Sequence, residues 1–170
     1  NMPMSSKILA AAAMAGLALA GVKSASAAMI PLVNPSFEDN GTYVNNPTGW
    51  IKTGNWNWIE GDGFVQPHPA PADGMYHLVL GPQDSSTNTY TQVLTAGDVG
   101  SLVTLDVAVG NRAGFETAAN NFVIHILLDG TSVSNASPDV APAAGEWLNL
   151  EATYTVTADD VGKALGVKLS

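Results

Sequence analysis

Apolar and polar residues alternate with a period of two along most of this chain. Residues 102–109 read L-V-T-L-D-V-A-V, residues 122–128 F-V-I-H-I-L-L, and residues 148–156 L-N-L-E-A-T-Y-T-V. Strand side chains point to opposite faces in turn, so such runs predict strands with one face buried. Shorter runs of the same kind lie at 30–33, 56–59, 75–80, 89–94, 133–135 and 164–169. Turn chemistry separates them: Asn-Pro, Asp-Gly at 62–63, 73–74 and 129–130, Ala-Gly-Asp at 96–98, and Pro-Ala-Ala-Gly at 142–145. Asp129-Gly130 between two apolar runs predicts a two-residue hairpin. Residues 95–100 and 157–163 open like helices, with a threonine followed by acids, but glycine intervenes within two turns. Each is expected to be a loop or a single turn joining strands. Many short strands, with no helix long enough to cross over a parallel sheet, predict an all-β antiparallel sandwich in one domain.

The N-terminus breaks this pattern. Lys7 precedes an uncharged stretch over residues 8–22 rich in Ala, Leu and Gly, and Ala25-Ser26-Ala27 then supplies small residues at signal-peptidase spacing. The stretch is short for a membrane span, which takes about 20 apolar residues. Residues 1–27 are expected to be a secretory signal peptide, and residues 28–170 the exported β-sandwich, with no membrane insertion in the mature domain. Loss of Lys7 and Lys23 leaves four basic residues against fifteen acids, taking the net charge from −9 to −11. Such a chain has no basic patch with which to displace counterions from a phosphate backbone, which excludes nucleic acid as a partner. It contains no cysteine, so disulfides, thiol catalysis and thiolate metal sites are excluded together.

Residues 54–77 place Trp56, Trp58, Phe64, His68, Tyr76 and His77 among Gly, Pro and Asn, the composition of loops carrying aromatic rings. Aromatic faces stack on sugar rings while Asn, Asp, Gln and Arg meet hydroxyls. Trp56 and Trp58 share a face of one strand: on a concave face they form a platform, and between sheets they are core. Trp50, after a glycine, reads as core. In residues 111–121 Arg112 either pins the loop by a salt bridge or contacts a ligand hydroxyl or acidic sugar. His68, His77 and His125 are scattered, and His125 reads as a satisfied sheet-face or core histidine. Ser85-Ser86 lacks a nucleophile-elbow context, and no G-x-S-x-G or H-E-x-x-H occurs. These residues by themselves predict a non-enzyme.

The order N-P-S-F-E (34–38), P-T-G-W (47–50), A-D-G-M-Y-H-L-V-L (72–80) and Y-T-Q-V-L (90–94) resembles galactose-binding-domain-like jelly rolls, the architecture of many carbohydrate-binding modules. With V-A-V-G-N-R (107–112), F-V-I-H-I-L-L-D-G (122–130), G-E-W (145–147) and the run 154–170, the chain is similar to exported bacterial proteins bearing such a jelly roll ahead of a PEP-CTERM sorting signal. The resemblance implies a secreted or cell-surface module that binds extracellular polysaccharide or glycan through Trp56, Trp58, Phe64, Tyr76 and Arg112. The alternative it leaves open is a structural or adhesive envelope or biofilm-matrix protein packing against other exported proteins. It also implies a structural calcium ion held by Glu38, the acid after Phe37, with backbone carbonyls and an acid from a last strand; otherwise Glu38 is a solvated edge carboxylate. That last strand, a Phe-Asp-Asn-Val-Arg-Leu-like run, has no match within residues 1–170, so the jelly roll is expected to be C-terminally incomplete.

Overall fold

The computed structural model describes residues 11–12, 30, 32–39, 47–55, 57–61, 74–81, 83–88, 92–111 and 119–170. Along these the strands are β1 (Ala11–Ala12), β2 (Trp50–Thr53), β3 (Asn57–Gly61), β4 (Tyr76–Leu80), β5 (Ser85–Asn88), β6 (Gln92–Val93), β7 (Ser101–Gly110), β8 (Ile124–Leu128), β9 (Thr131–Ala136), β10 (Trp147–Thr155) and β11 (Ala164–Leu169). Among the described residues there is no α-helix, only short 3-10 turns, and no helix long and apolar enough to cross a membrane. β7 lies between β1 and β10 in one antiparallel sheet, and the order β2-β5-β11-β8-β9 forms the other, with β6 also paired to β11. β3 and β4 form a separate antiparallel pair. The domain is the antiparallel β-sandwich that the alternation implies.

The inner faces follow from the period of two. Val103 and Leu105 on β7, with Leu150 and Ala152 on β10, meet Ile124, Ile126 and Leu128 on β8 and Leu165 and Val167 on β11 in one buried cluster. Each such aliphatic side chain stabilises the fold by about 1.5–3 kcal/mol relative to exposure. The expected hairpin joins β8 to β9 through Asp129 and Gly130, whose φ values of 49° and 78° are both left-handed, as a twist-matched two-residue turn requires.

One end of the sandwich is closed by two copies of the same turn. Thr95-Ala-Gly-Asp-Val-Gly100 and Thr157-Ala-Asp-Asp-Val-Gly162 each form a 3-10 turn, at Ala96–Asp98 and Ala158–Asp160. In each the aspartate reaches back to accept the N–H and hydroxyl of the threonine three residues earlier, at 2.7–2.9 Å. The turns are tied together where Leu94 N–H donates to Lys163 O at 2.9 Å and Gly162 N–H to Leu94 O at 2.8 Å. Tyr154 and Lys163 also donate to the Asp160 carboxylate, at 2.7 and 3.0 Å.

Two departures from the sequence pattern matter for the site. The expected strand at 30–33 does not form: its described positions are irregular, although Ile30 and Leu32 are buried. Pro31 and Pro35 lack the N–H a ladder needs, and Asn34 and Phe37 sit at φ 46° and 63°. The left-handed backbone at Phe37 costs about 1–2 kcal/mol, which burial of its ring, worth about 1.5–3 kcal/mol, offsets. Conversely β5, reading S-S-T-N, is a strand with no apolar alternation. It lies between β2 and β11, so Ser85, Ser86 and Asn88 are buried despite their polarity.

Candidate functional site

At the sandwich end away from the paired turns, the irregular segment 32–37 folds over the gap between the sheets. Leu32, Pro35, Phe37, Trp50, Leu105, Val107, Val167 and Leu169 surround an apolar recess there. Phe37 and Trp50 meet with ring centroids 5.1 Å apart at 41°. Their placement is fixed by backbone contacts: Trp50 Nε1–H donates to Asn34 O at 3.1 Å, and Phe37 N–H donates to the same oxygen at 3.3 Å. Asn88 Nδ2–H donates to Val33 O at 2.9 Å, tying the segment to β5. The recess spans about 290 Å³ with its open mouth included, while the centre of a water-sized sphere can occupy only about 20 Å³. As it stands it is no larger than a water molecule or two, and its apolar walls offer water almost no hydrogen-bond partner. A bicyclic ring enters only if side chains at the mouth move.

The inner row of β5 lies next to this recess, opposite Trp50 and Leu169. Asn88 is opposite Trp50 on β2, and two residues along, on the same face, Ser86 is opposite Lys52 on β2 and Leu169 on β11. Directly opposed strand residues project to the same face, so Ser86 stands on the face that carries Trp50 and Leu169. It is wholly buried, and its Oγ has no hydrogen-bond partner.

The expected ligand-binding side chains fall outside the described parts of the structure. Trp56, Phe64 and Arg112 lie outside them; Trp58 is in β3 opposite Val79 and Tyr76 starts β4 opposite Gly61, with their side chains outside the described parts. Glu38 is half-buried at the sheet margin, where Oε1 accepts Met75 N–H at 2.9 Å, and a Cβ on Gly74 would collide with its carboxylate. Among the described residues no three His, Asp or Glu side chains converge to hold a metal. Oxygen donors are the right kind for a hard cation, and Glu38 supplies one. Trp50 is core, as read, and so is Phe37. His125 lies on the outer face of its sheet, its ring nitrogens 3.0 and 3.2 Å from the hydroxyls of Ser132 and Ser170. Partial burial, and then the positive charge of Lys168, lower its pKa. Sequence reasoning missed the burial of Ser86, since a polar run without alternation carries no sign of it.

An antiparallel β-sandwich with an apolar recess at one end is the class of domain that the fold and the site define. Residues 28–170 match the family described as HpiC1-like, HpiC1 cyclase, and the chain belongs to that family. It is similar to a cyclase from Fischerella sp. TAU at 16% identity and TM-score 0.63, over 82% of this chain and 85% of that one. It is equally similar to the Stig cyclase Fisc from Fischerella sp. TAU in complex with (3Z)-3-(1-methyl-2-pyrrolidinylidene)-3H-indole, at 16% identity and TM-score 0.62 over 82% and 86%. A third structure, a cyclase from Fischerella sp. TAU in complex with 4-(1H-indol-3-yl)butan-2-one, gives 14% identity and TM-score 0.53 over 82% and 86%. At such identities the structures establish the fold. No curated protein matches the chain.

The family overturns four expectations. The resemblance to galactose-binding-domain-like PEP-CTERM proteins rested on motif order, which follows the strand-and-turn plan of a sandwich and is shared by domains of unrelated function. The carbohydrate-binding function and its structural alternative fall with it, as do the polysaccharide and matrix partners: the ligands in the related structures are indoles, not glycans. The non-enzyme reading is corrected by a cyclase family. Absence of nucleophile and metalloprotease motifs excludes hydrolases that need them; closing a ring within one bound molecule requires no such motif.

Proposed function

We propose that this chain is a cyclase that closes a ring on an apolar, indole-type molecule held at the open end of the sandwich. The observation that carries this is the family match over residues 28–170. The recess lined by Phe37, Trp50, Leu105, Val107, Val167 and Leu169 supports the location, being apolar and bounded by two aromatic rings. Such walls would fold a flexible side chain back toward its own ring and exclude water from the intermediate. The faces of Phe37 and Trp50 would favour positive charge developing beside them. Glu38 is the residue that would hold a calcium ion, whose chemistry here would be to fix the loop that carries Phe37. The start of the family match at residue 28 supports an exported domain released after Ala27.

The test uses 4-(1H-indol-3-yl)butan-2-one as a binding probe and an indole bearing an unsaturated side chain as trial substrate. The probe is expected to raise the melting temperature in a saturable way, and Val107→Phe, which fills the recess, to abolish that rise while the variant still melts cooperatively. Turnover is followed by chromatography and NMR, because ring closure by isomerisation leaves the mass unchanged. A probe that binds wild type and Val107→Phe alike would move the site elsewhere.

A further inference from the structure

Among the described residues, one buried hydroxyl lacks an explanation. Ser86 is fully buried, and its hydroxyl has no hydrogen-bond partner. Leaving such a group unsatisfied costs about 1–3 kcal/mol, and native interiors seldom tolerate it without reason. Its position supplies one. Ser86 is on β5, a strand paired on both edges, directly opposite Leu169 and two residue pairs beyond Asn88, which is opposite Trp50. Leu169 and Trp50 both line the apolar recess. The neighbouring Asn88 is already engaged with Val33 O.

Building on the proposed function, we propose that Ser86 is the polar positioning residue of the recess: its Oγ accepts a hydrogen bond from the ring N–H of a bound indole-type ligand. An indole presents one polar group, a donor, on an otherwise apolar bicycle. The eight residues that line the recess are apolar, and Ser86 stands beside this lining, opposite Leu169, so the ligand's N–H reaches it past the Leu169 side chain. Apolar pockets with a few placed polar groups take orientation from those groups, and a site built around a hydrogen bond rejects an isostere lacking it. Ser86 acts by fixing which edge of the ring system faces β5, and so which carbon of the ring meets the side chain that closes.

The experiment compares 4-(1H-indol-3-yl)butan-2-one with its benzothiophene counterpart, in which sulfur replaces the N–H at nearly unchanged shape, on wild type and Ser86→Ala. Wild type is expected to prefer the indole by about three- to tenfold, the value of one ordinary hydrogen bond. Ser86→Ala should bind the two compounds equally, with benzothiophene affinity retained, and should melt no lower than wild type, because the hydroxyl it loses had no partner. Equal preference in both proteins would overturn the role of Ser86 while leaving the recess as the site. A Ser86→Ala variant that melts several degrees lower would show a structural role instead. If wild type binds neither compound, the proposed function itself fails and this inference with it.

Discussion

Asp160 shows how much a single side chain can hold in a sandwich without disulfides. Its carboxylate, in a residue only 3% exposed, accepts the hydroxyl and N–H of Thr157, the hydroxyl of Tyr154 and the ammonium of Lys163. The Thr157 and Tyr154 hydrogen bonds hold its carboxyl well below the ordinary value of 3.8, and the ion pair with Lys163 adds to them. The same contacts raise the pKa of Tyr154 and of Lys163. A carboxyl depressed in the folded state contributes stability that is fully present above its unfolded pKa and lost as pH falls through the folded one. Asp160→Asn is therefore expected to lower the melting temperature at neutral pH, with the gap from wild type narrowing as pH drops below 3.8. A gap independent of pH would assign the loss to packing. The sister turn at Asp98 is more exposed and lacks the tyrosine and lysine, so Asp98→Asn should cost less.

At the scale of elements, the β8–β9 hairpin fixes the register of the second sheet. Asp129 and Gly130 both take left-handed backbone, and Asp129 Oδ1 also accepts Ala164 N–H at 2.8 Å, joining the turn to the start of β11. The space around Gly130 is open, so alanine there meets no neighbour and its cost is conformational. Gly130→Ala should destabilise the domain by about 1–2 kcal/mol, read as a lower urea midpoint at unchanged slope. Gly110 illustrates the other use of glycine: Trp147 on β10 lies across it, and a Cβ would come within 2.8 Å of the indole. That ring then meets His77 edge-on at 5.7 Å, so one residue without a side chain seats a contact between β4 and β10.

For the whole molecule, the two ends of the sandwich do different work. One is locked by the paired turns; at the other, among the described residues, the irregular segment 32–37 lies over an apolar gap. If calcium braces that segment through Glu38, a chelator should lower the melting temperature of wild type and leave Glu38→Ala unmoved, since a ligand specific to the folded state stabilises it by mass action. Equal wild-type melts with and without chelator would leave Glu38 as an edge carboxylate that accepts Met75 N–H. The alternation along β7, β8, β10 and β11, the Asp129-Gly130 hairpin and the two threonine-aspartate turns were legible in the residues, because each depends on neighbours a few positions away. β5 and the segment 30–39 were not. Whether S-S-T-N is a surface loop or a buried central strand depends on β2 and β11 pairing to either side of it, more than thirty residues before and more than seventy after. Whether Phe37 ends a strand or turns inward depends on Trp50 and on carbonyls that only the folded segment presents. Local periodicity therefore determined that this chain is a β-sandwich. Where its apolar gap lies, and that Ser86 stands unpartnered beside it, were decided by contacts between residues far apart in the chain, which no window of sequence contains.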